Sequence, residues 1–290
     1  MPDGLVVVDK AAGWTSHDVV AKLRGVLGTK KVGHAGTLDP DATGVLLVGV
    51  GKVTRLLRFL TAQPKTYVGE VVLGVETSTL DAAGDVVATH DMAPVTIEAA
   101  RAAAVTLTGS ILQVPPMVSA VQIGGKRLHE LARQGIEVER EARPVTVHRF
   151  DVETTDDAAV LRIEVRCSSG TYVRSLAADL GHALGGGAHL RDLRRTAIGS
   201  FSIEQGVPIE AVTEASVLSP AEAMRDLPGV RIGAEVALAV HHGKVLAVAD
   251  LPGAEGEGPW AVLSEDGELL AVYEQHRGTT AKPAVVLAAG

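Results

Sequence analysis

The stretch Gly33-His34-Ala35-Gly36-Thr37-Leu38-Asp39-Pro40-Asp41-Ala42-Thr43-Gly44, running straight into Val45-Leu46-Leu47-Val48-Gly49-Val50, places the tightest constraint on how this chain folds. A helical pattern from about Thr15 to Leu27 precedes it, and the apolar run after it reads as a buried strand. The stretch is therefore expected to be a loop held between two regular elements. Gly33, Gly36 and Gly44 allow positive φ and close backbone approach. Pro40 restricts Asp39 to extended conformations. The result is a carboxylate on a stiff loop of small residues, close to a histidine. An Asp-Pro pair alone is turn chemistry, with the carboxylate capping a nearby N–H; on a loop fixed by a rigid scaffold it is also a place for chemistry.

A chain of 290 residues is long enough for a large core and about two domains. Hydrophobic content of 46% and a mean hydropathy of +0.22 read as globular. No apolar run reaches the ~18 residues that span a bilayer, and the N-terminus lacks the basic and apolar regions of a signal peptide. Cys167 is the single cysteine, which excludes an intramolecular disulfide. A cytoplasmic protein with no membrane contact is expected. The net charge of −8 argues against a globally basic nucleic-acid binder. Its distribution is uneven: residues 1–65 carry nine Lys/Arg against five Asp/Glu, and residues 210–290 carry five against twelve. Any RNA affinity must come from a local basic face; the plain alternative is that Lys22, Arg24, Lys30 and Lys31 are a solvated helix face.

Leu5 to Lys10 reads as a short strand, and Thr15 or Ser16 can cap the helix that follows. Lys52 to Leu60 reads as a helix with Val53, Leu56, Leu57 and Leu60 on one face. A strand of mixed alternation starts at Tyr67, where a tyrosine is usually a core-edge residue. Thr79 to Asp85 reads as a turn-rich loop without the ligand spacing of an EF-hand. Thr96 to Leu107 is an amphipathic helix opened by Thr96. Val145 to Phe150 and Leu161 to Cys167 alternate with period two and are the clearest strands. The second runs into Ser168-Ser169-Gly170-Thr171-Tyr172-Val173-Arg174 and then a helix from Ser175 to Leu184, which puts Tyr172 and Arg174 at a strand-to-helix junction. Gly185 to Arg195 reads as a flexible link and a basic turn of helix, whose three arginines suit phosphate contacts. From about Pro220 short apolar pieces separated by Gly, Pro and acidic residues read as a small β domain.

The pattern His34-x-Gly36-x-Leu38-Asp39-Pro40-x-Ala42-x-Gly44 resembles the catalytic loop of pseudouridine synthases, in the form carried by the TruB family, which acts on uridine 55 of tRNA. The segments Lys10-Ala11-Ala12-Gly13-Trp14-Thr15-Ser16, Pro64-Lys65-Thr66-Tyr67, Pro115-Pro116-Met117-Val118-Ser119-Ala120, Gly125-Lys126-Arg127, Ala132-Arg133-Gln134-Gly135, Cys167 to Arg174 and Leu193-Arg194-Arg195 match it in order, over roughly residues 4–205. Ala11 stands where the family usually has proline.

The resemblance implies an α+β fold: a mixed, mainly antiparallel central sheet flanked by helices and loops, with a small C-terminal β domain similar to PUA. The expected division is a catalytic domain over residues 1–219, with an RNA-clasping insertion at about 114–143, and a small domain over 228–290. On residues alone the insertion is equally an ordinary hairpin plus a short charged helix. The resemblance further implies that Asp39 is the essential carboxylate, that Tyr67 stacks on the uracil, that Tyr172 and Leu193 bound the pocket, and that His34 helps hold the rearranged loop. Arg174, as a plain arginine a surface residue, is the candidate cation that keeps Asp39 ionised. Lys10, Lys126, Arg127, Arg133, Arg194 and Arg195 are the candidate RNA contacts.

The reaction moves C1′ from N1 to C5 of the uracil and needs no redox change or energy input. The chain accordingly has no Walker A loop, no G-x-G-x-x-G after a strand and no Cys/His zinc cluster, so no cofactor or metal is expected. The partner is the T-arm of tRNA, met by a monomer without an obligate protein partner, and the uridine must be flipped out of its stack. Three rivals remain open: a non-catalytic tRNA-binding or tRNA-folding protein, a glycosidase using Asp39 and Asp41, and a synthase acting on another RNA, such as the guide-dependent branch.

Overall fold

The computed structural model of the chain describes residues 3–119, 122–123, 126–128, 134, 136 and 138–287. The elements begin with β1 (Gly4–Lys10), α1 (Ser16–Val26), β2 (Val32–Ala35), β3 (Thr43–Val50) and a 3-10 turn, Gly51–Leu56, that continues into α2 (Leu57–Ala62). Next come β4 (Lys65–Leu73), β5 (Val75–Thr77), β6 (Val86–Thr89), α3 (Ile97–Thr106), β7 (Gly109–Gln113), β8 (Gln122–Ile123) and β9 (Lys126–Arg127). The chain continues through β10 (Arg143–Thr154), β11 (Val160–Cys167), α4 (Val173–Ala183), β12 (Ala188–Ile198), β13 (Phe201–Ser202) and β14 (Val207–Pro208). The last part holds β15 (Gly229–Arg231), α5 (Ala234–His241), β16 (Leu246–Ala247), β17 (Trp260–Leu263), β18 (Leu269–Gln275) and β19 (Thr280–Val286). Two compact units result. One is built from Met1–Pro40, Gly44–Ala62 and Ile198–Gly290, the other from Asp41–Thr43 and Gln63–Ala197.

In the first unit β1 pairs antiparallel with β3 and parallel with β14, and β2 pairs antiparallel with β3. The apolar runs of β1 and β3 carry no polar residue because both faces are covered. Leu5, Val7, Val45 and Leu47 enter one core cluster; Val6, Val8, Leu46 and Val48 enter a second, with Val19, Val20 and Leu23 of α1. Alternate residues thus point to opposite sides, as a strand requires, and each fully buried Val or Leu contributes about 1.5–3 kcal/mol. Helix α1 starts at a capping box: Thr15 accepts from the Asp18 N–H, and the Asp18 carboxylate accepts from the Thr15 N–H. That reciprocal pair satisfies two backbone donors at the helix start.

The C-terminal strands form a sheet in the order β15-β17-β18-β19-β16, with Trp260 and Tyr273 fully buried. Ala261, Val272 and Val285 of this sheet share a core cluster with Leu5, Leu56, Phe59 and Leu60. Lys52, Arg55 and Arg58 bond the same C-terminal region: Lys52 Nζ donates to Leu287 O, Arg55 to Val286 O, and Arg58 pairs with Glu274 at 2.8 Å.

In the second unit the strand order is β12-β4-β11-β10-β7, with small ladders β5–β6 and β8–β9 beside it. The long ladders β4–β11, β10–β11 and β7–β10 are antiparallel, as are β17–β18 and β18–β19 in the first unit. The fold is therefore α+β with a mixed, mainly antiparallel sheet and a C-terminal β module, as the sequence implies.

Two local readings are corrected. Residues 188–198 form strand β12, where a flexible link and a turn of helix were expected. Local helix propensity in Leu190-Arg191-Asp192-Leu193-Arg194-Arg195 yields to the ladder with β4, and Asp192 takes a φ of +52° within the strand. His34 belongs to β2, paired with Val48, and so precedes the irregular part of the loop.

Candidate functional site

The loop that carries Asp39 is clamped on both sides of it. Ser16 Oγ accepts from the Leu38 N–H at 3.0 Å and donates to the Leu38 carbonyl, and Leu38 is 4% exposed. Beyond Asp39, the Pro40 carbonyl accepts from Lys10 Nζ at 2.9 Å and from the Gly13 N–H at 3.0 Å. Lys10 is fully buried, and its ammonium also donates to Ala11 O and Trp14 O. A buried charge is tolerable only when its donors are satisfied, and three carbonyls do that here. The positive φ of Gly36 and Gly44, +79° and +100°, turns the chain at either end of the loop. Asp39 is half-buried between these fixed points. His34 packs edge-to-face on His17 of α1, with ring centroids 5.4 Å apart.

The second unit holds the guanidinium and the two rings. Arg174, in the first turn of α4, is 4% exposed. Its Nη1 lies 3.2 Å from Asp81 Oδ2 and donates to Thr79 O at 3.0 Å, and its Nη2 donates to Val118 O at 2.8 Å. Asp81 is itself oriented: Oδ1 accepts from Thr79 Oγ1 and the Ala83 N–H. Its loop is fixed against β12, since Leu190 donates to Leu80 O and Ala82 donates to Leu190 O. From sequence alone this loop reads as a plain turn, and Asp81 is not singled out. Only the Thr-x-Asp spacing hinted at an ordered carboxylate, and that spacing is common turn chemistry.

Tyr172 is the residue before α4, half-buried, with both of its backbone polar groups bonded to the Gln113 side chain. Tyr67 is 9% exposed on β4, opposite Val165 of β11. Lys65 and Tyr67 share the buried face of β4, and the Arg195 guanidinium lies 6.0 Å from the Tyr67 ring centroid. Burial, with the Arg195 charge adding to it, pulls the Lys65 ammonium down to about 8, and its Nζ donates to Gln63 O. Burial pushes the thiol of Cys167, the cross-strand partner of Lys65, up to about 11, so it is an inert core residue. Leu193 is half-buried on β12, its Cα near the position a Cβ on Gly69 of β4 would take.

The candidate RNA contacts divide. Lys10 and Arg195 face inward, fully buried and 1% exposed, where solvated phosphate-binding residues were expected. The reason is local: Lys10 neutralises a convergence of carbonyls, and Arg195 sits against an aromatic face. Arg191, read among the phosphate-suited arginines, pairs with Glu70 at 2.7 Å. Arg194 is half-buried. The backbones of Lys126 and Arg127 lie in β9, but their side chains, and Arg133 altogether, are outside the described residues. Among the described residues no cluster of His, Cys, Asp or Glu is arranged to hold a metal ion, and no helix is long and apolar enough to cross a membrane.

Comparison with known proteins adds to this geometry. Residues 24–173 match the family profile described as TruB family pseudouridylate synthase, N-terminal domain, and residues 174–230 match the tRNA pseudouridylate synthase B C-terminal domain. The chain is 46% identical to the tRNA pseudouridine synthase B of an Arthrobacter species, over 99% of this chain and 97% of that one. It is also 46% identical to the same-named protein of Thermobifida fusca, over 99% of both. Among solved structures it is similar to one from a Cbf5-Nop10-Gar1 complex, with a TM-score of 0.76 and 28% identity, covering 98% of this chain and 84% of that one.

Proposed function

We infer the reaction from one premise: the chain belongs to the TruB family of pseudouridine synthases. It is an isomerase that converts uridine to pseudouridine in RNA. We propose that its substrate is uridine 55 in the T-loop of tRNA, the position on which TruB enzymes act. The reaction breaks the C1′–N1 glycosidic bond, turns the uracil and forms a C1′–C5 bond. The C5 proton leaves and N1 ends protonated, so the product is an isomer.

Asp39 is the proposed essential carboxylate. What supports it is the double clamp: Leu38 held by Ser16, and Pro40 held by Lys10 and Gly13. A nucleophile or base is effective when its position is fixed before the substrate arrives. Arg174 is the proposed cation that keeps the carboxylate charged once RNA excludes water, because a nearby guanidinium opposes the upward pull of burial. The rings of Tyr67 and Tyr172 are the proposed walls for the everted uracil, and Leu193 closes one side. Stacking holds a base without demanding a hydrogen-bond pattern. His34 helps hold the rearranged loop. The domain roles follow the same reading: residues 1–219 carry the catalysis, 114–143 clasp the RNA, and 228–290 form a module whose acidic balance suits docking more than phosphate contact.

The test is tritium release from tRNA transcripts labelled at uracil C5, with the modified position mapped. Wild-type protein should release tritium from position 55 alone. Asp39→Asn should reduce release by at least about 1,000-fold while tRNA affinity stays within about threefold. Substantial turnover by that variant, or modification elsewhere, would overturn the proposal.

A further inference from the structure

Strand β7 reverses the usual pattern at its end. Leu112 and Val114 are 72% and 47% exposed, while the polar Gln113 between them is 3% exposed. An amide buried without partners is costly, so its partners identify its purpose. Gln113 Oε1 accepts from the Tyr172 N–H at 2.8 Å, and Gln113 Nε2 donates to the Tyr172 carbonyl at 3.1 Å. The side chain thus imitates the rung of a β-ladder and, among the described residues, pairs with Tyr172 alone. That residue has no side-chain cap of its own and carries extended φ and ψ, −101° and 109°. Its carbonyl also accepts the first bond of the helix, from Leu176. Arg174 follows two residues later.

Gln113 has a second distinction. It is the last residue of β7, paired with Arg143, so the segment between residues 113 and 143 leaves and returns at this rung. From there the chain runs along the first turn of α4. Val114 O accepts from Ser175 Oγ, and Val118 O accepts from Arg174 Nη2. Arg140, on the returning limb, donates to Pro115 O.

We propose that Gln113 is a positioning residue of this enzyme: its carboxamide, at the root of the inserted segment, closes a two-bond ring on the Tyr172 backbone and so sets the direction in which Tyr172 and Arg174 leave the start of α4. The assignment rests on the reading of Tyr172 and Arg174 as site residues. It differs from a packing role because it requires one donor and one acceptor at once. Met fills nearly the same volume and supplies neither. Glu supplies both only when protonated, its O–H replacing the amide N–H, and burial favours that neutral form.

The test uses the full-length protein. Gln113→Met should lower kcat for pseudouridine formation by roughly 10- to 100-fold, the scale of a small misplacement of reacting groups, with tRNA affinity within about threefold. Gln113→Glu should be slow at pH 8 and recover relative to wild type as pH falls toward 6. Hydrogen exchange of the Tyr172 amide should be faster in Gln113→Met by about tenfold or more. A Met variant with wild-type kcat, a Glu variant with no relative recovery at low pH, or an unchanged Tyr172 exchange rate would each overturn the proposal. Should the Met variant fail to fold, the Glu pH profile still decides. If wild-type protein itself forms no pseudouridine, the functional reading has failed and the positioning role of Gln113 in the reaction falls with it; the exchange rate then decides the geometric part alone.

Discussion

The ammonium of Lys10 donates to the carbonyl of Pro40, 2.9 Å away and 30 residues later in the chain. The same nitrogen bonds Ala11 O and Trp14 O, so one buried charge ties the end of β1 to the loop that follows Asp39. Hydrogen bonds to a charged donor contribute about 1.5–3 kcal/mol each, and not additively. Lys10→Met should destabilise the protein by about 3 kcal/mol, a fall in Tm of roughly 5 °C in a chain of this size. It should also slow pseudouridine formation at temperatures where the variant is folded, because the clamp on Pro40 keeps only its Gly13 bond. Lys10→Arg should not restore either property, since a planar guanidinium does not fit a fully enclosed ammonium site. Thermal unfolding and single-turnover rates check both statements, and a stable, fast Met variant would contradict them.

Asp81 is the carboxylate beside Arg174 within the second unit, at 3.2 Å. Asp81→Asn keeps an oxygen for Thr79 and Ala83 but removes the charge. Arg174 would remain nearly enclosed with less compensation of its charge, and its direction would depend more on contacts such as those to Thr79 O and Val118 O. We expect kcat to fall by roughly 10- to 100-fold, with tRNA affinity nearly unchanged. Equal losses in affinity and turnover would instead mark Asp81 as part of the RNA-binding surface.

Lys65 makes stability depend on pH in a defined window. Its folded-state pKa, pulled down to about 8, lies below the ordinary 10.5. Between these values the unfolded chain binds more protons than the folded one, so folding stability rises with pH there. Below about pH 8 both states are protonated and the penalty is constant. The slope from this one group is at most about 1.4 kcal/mol per pH unit. Cys167 works in the opposite sense above pH 9, where its raised pKa lowers stability as the unfolded thiol ionises. Cys167 is common to wild type and a Lys65 variant, so the difference between them from pH 8 to 9 reports Lys65. Chemical denaturation of wild type and Lys65→Met should differ in slope across that interval, with the Met variant flatter. Parallel pH profiles would show that the ammonium is not held at a depressed pKa.

The sequence by itself determined the local elements and the character of the central loop. The apolar runs of β1 and β3, the Thr15 and Thr96 caps and the alternation in β10 and β11 are all short-range patterns, and all appear as expected. The order of its motifs also carried the family. Tertiary structure alone decided which side chain serves which backbone. Lys10 looked like an RNA contact and braces a loop; Arg195 looked the same and lies under Tyr67. Asp81 looked like turn chemistry and faces Arg174; Gln113 looked like any strand residue and holds Tyr172. The physical reason is separation along the chain. Propensity and periodicity act over a few residues, whereas these pairs meet only when strand register and loop course bring distant segments together, and the penalty for burying an unpaired polar group then fixes each pairing.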